Sequence, residues 1–134
     1  MALVVATTCL PAAAQGFKWW QDAKFQAEME LTPDQVSRID KVFEDARPTL
    51  RAQKRALDKL EDELSRMVAE ARAGEAELAA FVERVEDARA DLSKNRTLML
   101  YRMRRILSAE QHVKLKALFE AREKQRHSQR PPRE

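Results

Sequence analysis

Apolar residues recur alternately three and four positions apart from Val36 to Ala71, which is the spacing of one helix face. The series spans five heptads and therefore predicts a single helix of about forty residues, roughly 60 Å long. Pro48 lies inside the run and lacks the N–H that a helix interior uses, so we expect a bend there but no break. The positions are Val36, Ile39, Phe43, Ala46, Leu50, Gln53, Leu57, Leu60, Leu64, Met67 and Ala71.

A second apolar series with the same spacing follows the turn signal Ala73-Gly74-Glu75. It predicts a second long helix that runs antiparallel to the first, so that the two form a helical hairpin. With the turn centred on Gly74, Gln53 faces Asn95, and these two polar residues are predicted to share one layer of the seam. The second series consists of Leu78, Phe81 or Val82, Val85, Ala88, Leu92, Asn95, Met99, Met103 and Ile106.

One five-residue phrase occurs twice, at residues 31–35 and 107–111, each time just before an apolar run. In both copies a hydroxyl residue is followed three positions later by glutamine, which is the pattern of a capping box at a helix N-terminus. The residues that define the repeated motif are Leu31, Thr32, Gln35, Leu107, Ser108 and Gln111.

The second copy predicts a last helix from Ala109 to about Lys124, and the first copy closes an N-terminal arm at residues 15–30. In the last helix Val113, Ala117, Leu118 and Phe119 are expected to face inward. Residues 125–134 are polar and basic and are predicted to form a disordered tail. The arm carries Phe17, Trp19, Trp20, Phe25 and Met29, which either cover the groove of the hairpin or contact a client or a membrane.

The first residues have the composition of an export leader. Residues 1–14 carry no charge and end in Ala12-Ala13-Ala14, which fits a signal-peptidase site before Gln15, although a basic segment at the start is missing. Cys9 is the single cysteine and lies within this leader, so the mature chain is expected to form no disulfide. A lipid-anchored Cys9 is the alternative. The sequence thus predicts a signal peptide at 1–14 and a hairpin domain at 31–124.

In this order, the features resemble the Spy/CpxP family of periplasmic proteins over residues 19–122. The two motif copies bracket a charged helical hairpin, and Trp19-Trp20, Arg47-Pro48 and the stretch 96–101 resemble its heavy-metal-sensor branch most. The resemblance implies ATP-independent chaperones, envelope-stress regulators, and heavy-metal sensors or zinc-resistance proteins. It also implies a homodimer, often shaped like a cradle.

Charge is unevenly distributed along the 134 residues, whose net charge is +3. Residues 96–134 contain eleven Lys and Arg and four Glu, a net +7. Such a basic region suits acidic proteins, anionic lipid or nucleic acid, and the predicted export makes nucleic acid the least favoured partner. No apolar stretch outside the leader approaches the ~20 residues that span a bilayer, so stable membrane insertion is not expected.

The second long helix carries more apolar residues than one seam can bury. Leu98, Leu100, Tyr101, Met103 and Ile106 surround most of its circumference, and either a second copy or a bound client is expected to cover them. Mixed apolar and cationic surfaces hold unfolded chains loosely. The predicted client-binding residues are Leu98, Tyr101, Arg102, Arg104 and Arg105.

Metal ligands are scarce, and no catalytic arrangement is apparent. His112 is the metal-binding candidate, and it has no second histidine at the helical spacing of three or four; His127 lies in the predicted tail. Met99 and Met103 are four apart, a spacing more typical of packing than of soft-metal binding.

The chain is therefore predicted to be an all-α, non-enzymatic periplasmic protein that binds non-native clients or a stress-signalling partner, with no required cofactor. A sensor of zinc, copper, nickel or cobalt is the alternative, and a coiled-coil spacer is the third hypothesis.

Overall fold

A computed structural model describes residues 17–131, and every regular element in that range is helical. A short 3-10 helix, Trp19–Gln21, leads into α1, Ala23–Met29. The remaining helices are α2, Pro33–Glu70, α3, Glu75–Arg104, and α4, Ala109–Ser128. The all-α prediction is confirmed over this range. The predicted leader and Cys9 lie outside the described residues.

The long first helix is confirmed, since α2 runs for 38 residues without interruption at Pro48. Thr32 caps its N-terminus, and Pro33 stands at the first helical position, where its missing N–H leaves no hydrogen bond unmade. The helix ends at Ala71, which adopts the left-handed conformation with φ 51°. This conformation brings the Cβ of an L-residue close to its own backbone and favours glycine.

We expect Ala71→Gly to raise the free energy of unfolding by about 1 kcal/mol, because glycine adopts this conformation without steric cost. The matched control is Ala69→Gly, two residues earlier and inside the exposed last turn, where the same change should lower it by about 0.5 kcal/mol. Chemical denaturation of both variants measures the difference. Two changes of the same sign would contradict the assignment of Ala71 as the strained position.

α3 follows after a four-residue connection, 71–74, and its charges suit the helix dipole. Glu75 and Glu77 lie in its first turn, and Arg102 and Arg104 lie in its last. Negative charge near the N-terminus and positive charge near the C-terminus each stabilise a helix. None of the helices within residues 17–131 is both long and apolar enough to cross a bilayer.

Buried apolar residues form two clusters along the packed α2 and α3. The larger, here called the base, joins the N-terminal arm to α2, α3 and α4 through Trp20, Ile39, Met103 and Leu115, among others. The smaller, here called the tip, is centred on Leu57, Val85 and Leu92. At the tip Arg89 on α3 donates to Glu61 on α2 at 2.8 Å, and this hydrogen bond, with the charge of Glu86, raises the pKa of Arg89.

The predicted polar layer between Gln53 and Asn95 does not form as an amide pair. The Oε1 atom of Gln53 is buried and accepts no hydrogen bond from any residue of the described range. Asn95 instead lines an open groove beside Thr49 and Leu50. The heptad pattern places both residues correctly on the seam, but register alone does not bring the two amides into hydrogen-bonding geometry.

The inward face of α4 differs from the predicted one. Leu115 and Leu118 are buried, Phe119 is partly buried, and Val113 is 71% exposed. Ala117 is exposed as well. The reason is that Gln111 is itself buried, and the residues that share its face follow it by four and seven positions. α4 also extends to Ser128, so residues 125–128, assigned to the tail by their composition, are helical.

Candidate functional site

The two copies of the repeated motif meet in space, although their glutamines are 76 residues apart. Both predicted capping boxes are confirmed, on Thr32 and on Ser108. Gln35 Nε2 donates to Gln111 Oε1 at 2.9 Å, and Gln111 Nε2 donates back to Gln35 Oε1 at 3.0 Å. We call this reciprocal amide pair and its partners the glutamine clasp.

Each glutamine of the clasp also binds the backbone on both sides of a helix junction. The Oε1 atom of Gln35 accepts from the Thr32 N–H at 3.1 Å, and that of Gln111 accepts from the Ser108 N–H at 2.9 Å. The second proton of each amide goes to a carbonyl beside the other motif copy, Ile106 O at 3.2 Å and Met29 O at 3.1 Å.

The clasp is therefore fully hydrogen-bonded. All four amide protons have an acceptor, and each oxygen accepts two hydrogen bonds, so burying Gln111 leaves no polar group unpaired. The carbonyl of Met29 is the last of α1, where helical carbonyls lack intrahelical donors, and that of Ile106 lies two residues after the end of α3. The motif thus caps helix ends of both polarities.

The N-terminal arm is docked on the base, as the covering interpretation predicts. Trp19, Trp20, Phe25 and Met29 are all buried. The indole Nε1 of Trp20 donates to Asp40 on α2 at 2.9 Å, so the polar edge of its buried ring is satisfied.

A second set of aromatic contacts joins the arm to α4. The ring of Phe25 lies edge-on to Phe17 and to Phe119, with centroids 5.4 and 5.5 Å away. The guanidinium of Arg122 stacks 3.4 Å from the Phe17 ring centroid. The arm therefore uses its aromatic side chains to bind α2 and α4 of its own chain.

The predicted client-binding residues lie at the C-terminal end of α3, and four of the five share one face. Leu98, Tyr101, Arg102 and Arg105 follow the spacing of three and four that places side chains on one side of a helix. Arg104 lies at the edge of this group, about 60° from Tyr101 but about 100° or more from the other three. Tyr101 is 60% exposed and Leu98 is 40% exposed. We call the group Leu98, Tyr101, Arg102 and Arg105 the α3 face.

An open groove of about 360 Å³ lies beside the α3 face, between α3 and α2. Leu98 and Arg102 form part of one wall, and Val42, Asp45 and Leu50 contribute to the other. Asp45 accepts a hydrogen bond from Lys41 at 2.8 Å, which raises the pKa of that lysine and compensates the negative charge of Asp45.

Three arginines, Arg102, Arg104 and Arg105, lie at this end of α3. Within residues 17–131, Arg102, Arg104 and Arg105 form no ion pair. The guanidinium of Arg105 lies 5.9 Å from the Tyr101 ring centroid, which orients both groups on the surface. The α3 face thus combines exposed apolar area with uncompensated positive charge.

Much of the remaining apolar surface of α3 is covered by the chain itself. Met99 and Met103 are buried in the base, as the packing interpretation predicts, and Leu100 and Ile106 pack partly against it. Residues of α1 and α4, among them Phe25, Leu115 and Leu118, belong to the same cluster. Only Leu98 and Tyr101 of the predicted excess remain markedly exposed.

The histidines stand apart from one another on α4. His112 is partly buried in the first turn, and His127 is exposed near the end of the helix. Across residues 17–131 no three His, Cys, Asp or Glu side chains come close enough together to form a metal site. His112 thus belongs to no cluster of three such side chains in this part of the chain.

No protein family, curated protein or solved structure was found to match this chain. Over residues 17–131 the fold and site define an all-helical protein in which a duplicated capping motif joins the start of α2 to the start of α4.

Proposed function

We propose that this chain is a periplasmic envelope-stress accessory protein of the Spy/CpxP type, which binds non-native proteins or a signalling partner without ATP and without catalysing a reaction. The observation that carries the proposal is the α3 face, where Leu98 and Tyr101 are exposed beside Arg102 and Arg105, which have no acidic partner among the described residues. The duplicated motif, now seen to form the glutamine clasp, supports the same class through the resemblance.

The chemistry of the α3 face suits binding of low specificity. Unpaired arginines attract acidic chains over distances of about 10 Å at moderate salt, and exposed aromatic and aliphatic groups then add contacts of no fixed geometry. The open groove beside the face offers additional apolar area from Val42 and Leu50. Such a surface binds and releases unfolded segments without an energy source.

The proposal includes an antiparallel hairpin of α2 and α3 and a cradle-shaped homodimer. The ion pair from Arg89 to Glu61 and the four-residue connection at 71–74 support the antiparallel arrangement. A second copy is the simplest cover for apolar area that the client does not use.

Aggregation of a reduced, unfolded test protein, followed by light scattering, tests the proposal. We expect the protein to suppress aggregation at a near-stoichiometric ratio. Replacing two exposed apolar groups, Leu98→Ser with Tyr101→Ser, should weaken client binding about tenfold, because apolar area is lost while the fold is kept. The control is Val68→Ser with Arg66→Glu, on exposed α2 positions near the other end of the hairpin, which should behave as wild type.

Sedimentation of the same variants separates client binding from dimer formation. A variant that becomes monomeric yet still suppresses aggregation would assign the α3 face to the dimer interface and remove it from the client site. Absence of suppression by the wild-type protein at every ratio would overturn the proposed function and favour a structural spacer.

A further inference from the structure

The apolar core between α2 and α3 is interrupted between the base and the tip. Leu50 is the one residue that packs against both clusters. The next inward position on α2 is Gln53, followed by Leu57 in the tip, and the corresponding interruption on α3 is Asn95, between Leu92 and Met99. One layer of the seam therefore lacks apolar packing.

The polar side chains of this layer also lack a hydrogen bond to each other. The Oε1 atom of Gln53 is buried without a hydrogen-bond partner within the described residues, and Asn95 faces the open groove rather than Gln53. An unpaired buried carbonyl destabilises the closed packing around it, whereas the fully paired amides of the glutamine clasp do not. The contrast makes the Gln53 layer the weakest part of the seam.

The helix itself is weakened close to the same point. Pro48 lies five residues before Gln53, in the interior of α2. Its ring has no N–H to donate to the carbonyl of Glu44 and also presses against that carbonyl. A helix that lacks one backbone hydrogen bond bends at lower energy than an intact one.

From these observations we infer that the Gln53–Asn95 layer, together with Pro48, is a hinge on which the tip bends relative to the base. The inference does not rest on the proposed function. This hinge lies beside the open groove, whose lining includes Leu50, Asn95 and Leu98. Bending at this layer therefore changes the width of the groove.

Distances between paired spin labels measure the bending in the full-length protein, with Cys9→Ser as background. Val113→Cys and Val68→Cys place labels on exposed positions of the base and the tip. Val113→Cys with Ser37→Cys places both labels on the base. We expect the base-to-tip distance distribution to be clearly broader than the base-to-base distribution.

Filling the Gln53–Asn95 layer with apolar side chains should narrow the base-to-tip distance distribution. Gln53→Leu with Asn95→Leu fills the seam with apolar side chains, and the base-to-tip distribution should narrow to the width of the base-to-base one. The matched control, Arg55→Leu with Ser93→Leu, makes the same kind of change on exposed positions two residues away and should leave the distribution broad.

Amide hydrogen exchange of the unmodified protein provides a measurement that needs no variant. Amides at 49–53 should exchange about tenfold faster than those at 57–64 in the same helix, because the layer opens locally more often. Equal exchange in the two segments, or a base-to-tip distribution as narrow as that within the base, would overturn the hinge. A broad distribution that the double leucine variant leaves unchanged would overturn it as well.

Discussion

Replacing Gln111 by alanine is expected to lower the free energy of unfolding by about 3 kcal/mol, which corresponds to a fall in Tm of about 10 °C. The side chain is 9% exposed and provides two donors and two acceptor positions inside the base. Its loss leaves the carbonyl of Met29, the N–H of Ser108 and half of the Gln35 amide without partners, and each of these costs free energy when it stays buried. Thermal and chemical denaturation measure the effect.

A glutamine on the surface of the same helix serves as the matched control. Gln125 is exposed, so Gln125→Ala removes the same atoms and should change stability by less than about 0.5 kcal/mol. A loss in Gln111→Ala no larger than in this control would show that the clasp does not form in solution.

The reciprocity of the clasp makes a double-mutant cycle informative. Gln35→Ala alone should also destabilise the protein, and the double variant should lose less than the two single losses added together. The coupling energy expected for groups that bind each other directly is about 1–3 kcal/mol. Additive losses would mean that each glutamine acts only on its own helix.

The second large effect is expected for Trp20→Ala, which should lower the free energy of unfolding by about 4 kcal/mol. The indole is 2% exposed, its ring centroid lies 5.0 Å from that of Phe43, and its Nε1 donates to Asp40. Truncation creates a large cavity in the base and leaves the arm without its central anchor. Equilibrium denaturation, followed by far-ultraviolet circular dichroism, measures the loss.

Two variants separate the contributions of Trp20. Trp20→Phe keeps an aromatic ring in place but cannot donate to Asp40, and it should lose about 1–2 kcal/mol. Tyr101→Ala truncates an exposed aromatic ring on α3 and should cost less than about 0.5 kcal/mol. If Trp20→Ala were as mild as Tyr101→Ala, the arm would be undocked in solution.

The three longer helices, α2, α3 and α4, and their starting points could be predicted because their signals are local, whereas the short helices of the arm, Trp19–Gln21 and Ala23–Met29, were not predicted. Heptad spacing, a single glycine between two charged runs and two capping boxes are all read within a few residues of one another. The docking of the arm also followed from its composition, since five large apolar groups in so short a segment require a cover.

The contacts between distant segments were harder to predict from the sequence. The sequence shows that Gln35 and Gln111 each fit a capping box, but the box uses only one lone pair of each amide oxygen. The partners of both amide protons and of the second lone pair depend on the three-dimensional arrangement. The inward face of α4 was predicted correctly for Leu118 and Phe119 and wrongly for Val113 and Ala117, and the error has the same origin. Val113 fits an apolar pattern counted along the helix, whereas the buried Gln111 sets the face toward Leu115.

For the polar layer of the seam, the sequence predicts which positions face each other but not whether their side chains form a hydrogen bond. Facing positions can be obtained by counting from Gly74, but a hydrogen bond between two amides requires agreement within a few tenths of an ångström. Gln53 lies on the seam as expected, and its carbonyl remains unpaired within the described residues.

The glutamine clasp has a consequence for the order in which a newly made chain can fold. The arm precedes the long helices in the chain, yet its buried residues need Gln111, Leu115 and Phe119, which emerge from the ribosome about eighty residues later. α2 and α3 can pair earlier from their short connection, which shortens the loop that remains to be closed. Phe25 and Met29 therefore lack part of their cover until synthesis of α4 is well under way, whereas Trp20 can already contact Asp40 and Phe43 on α2.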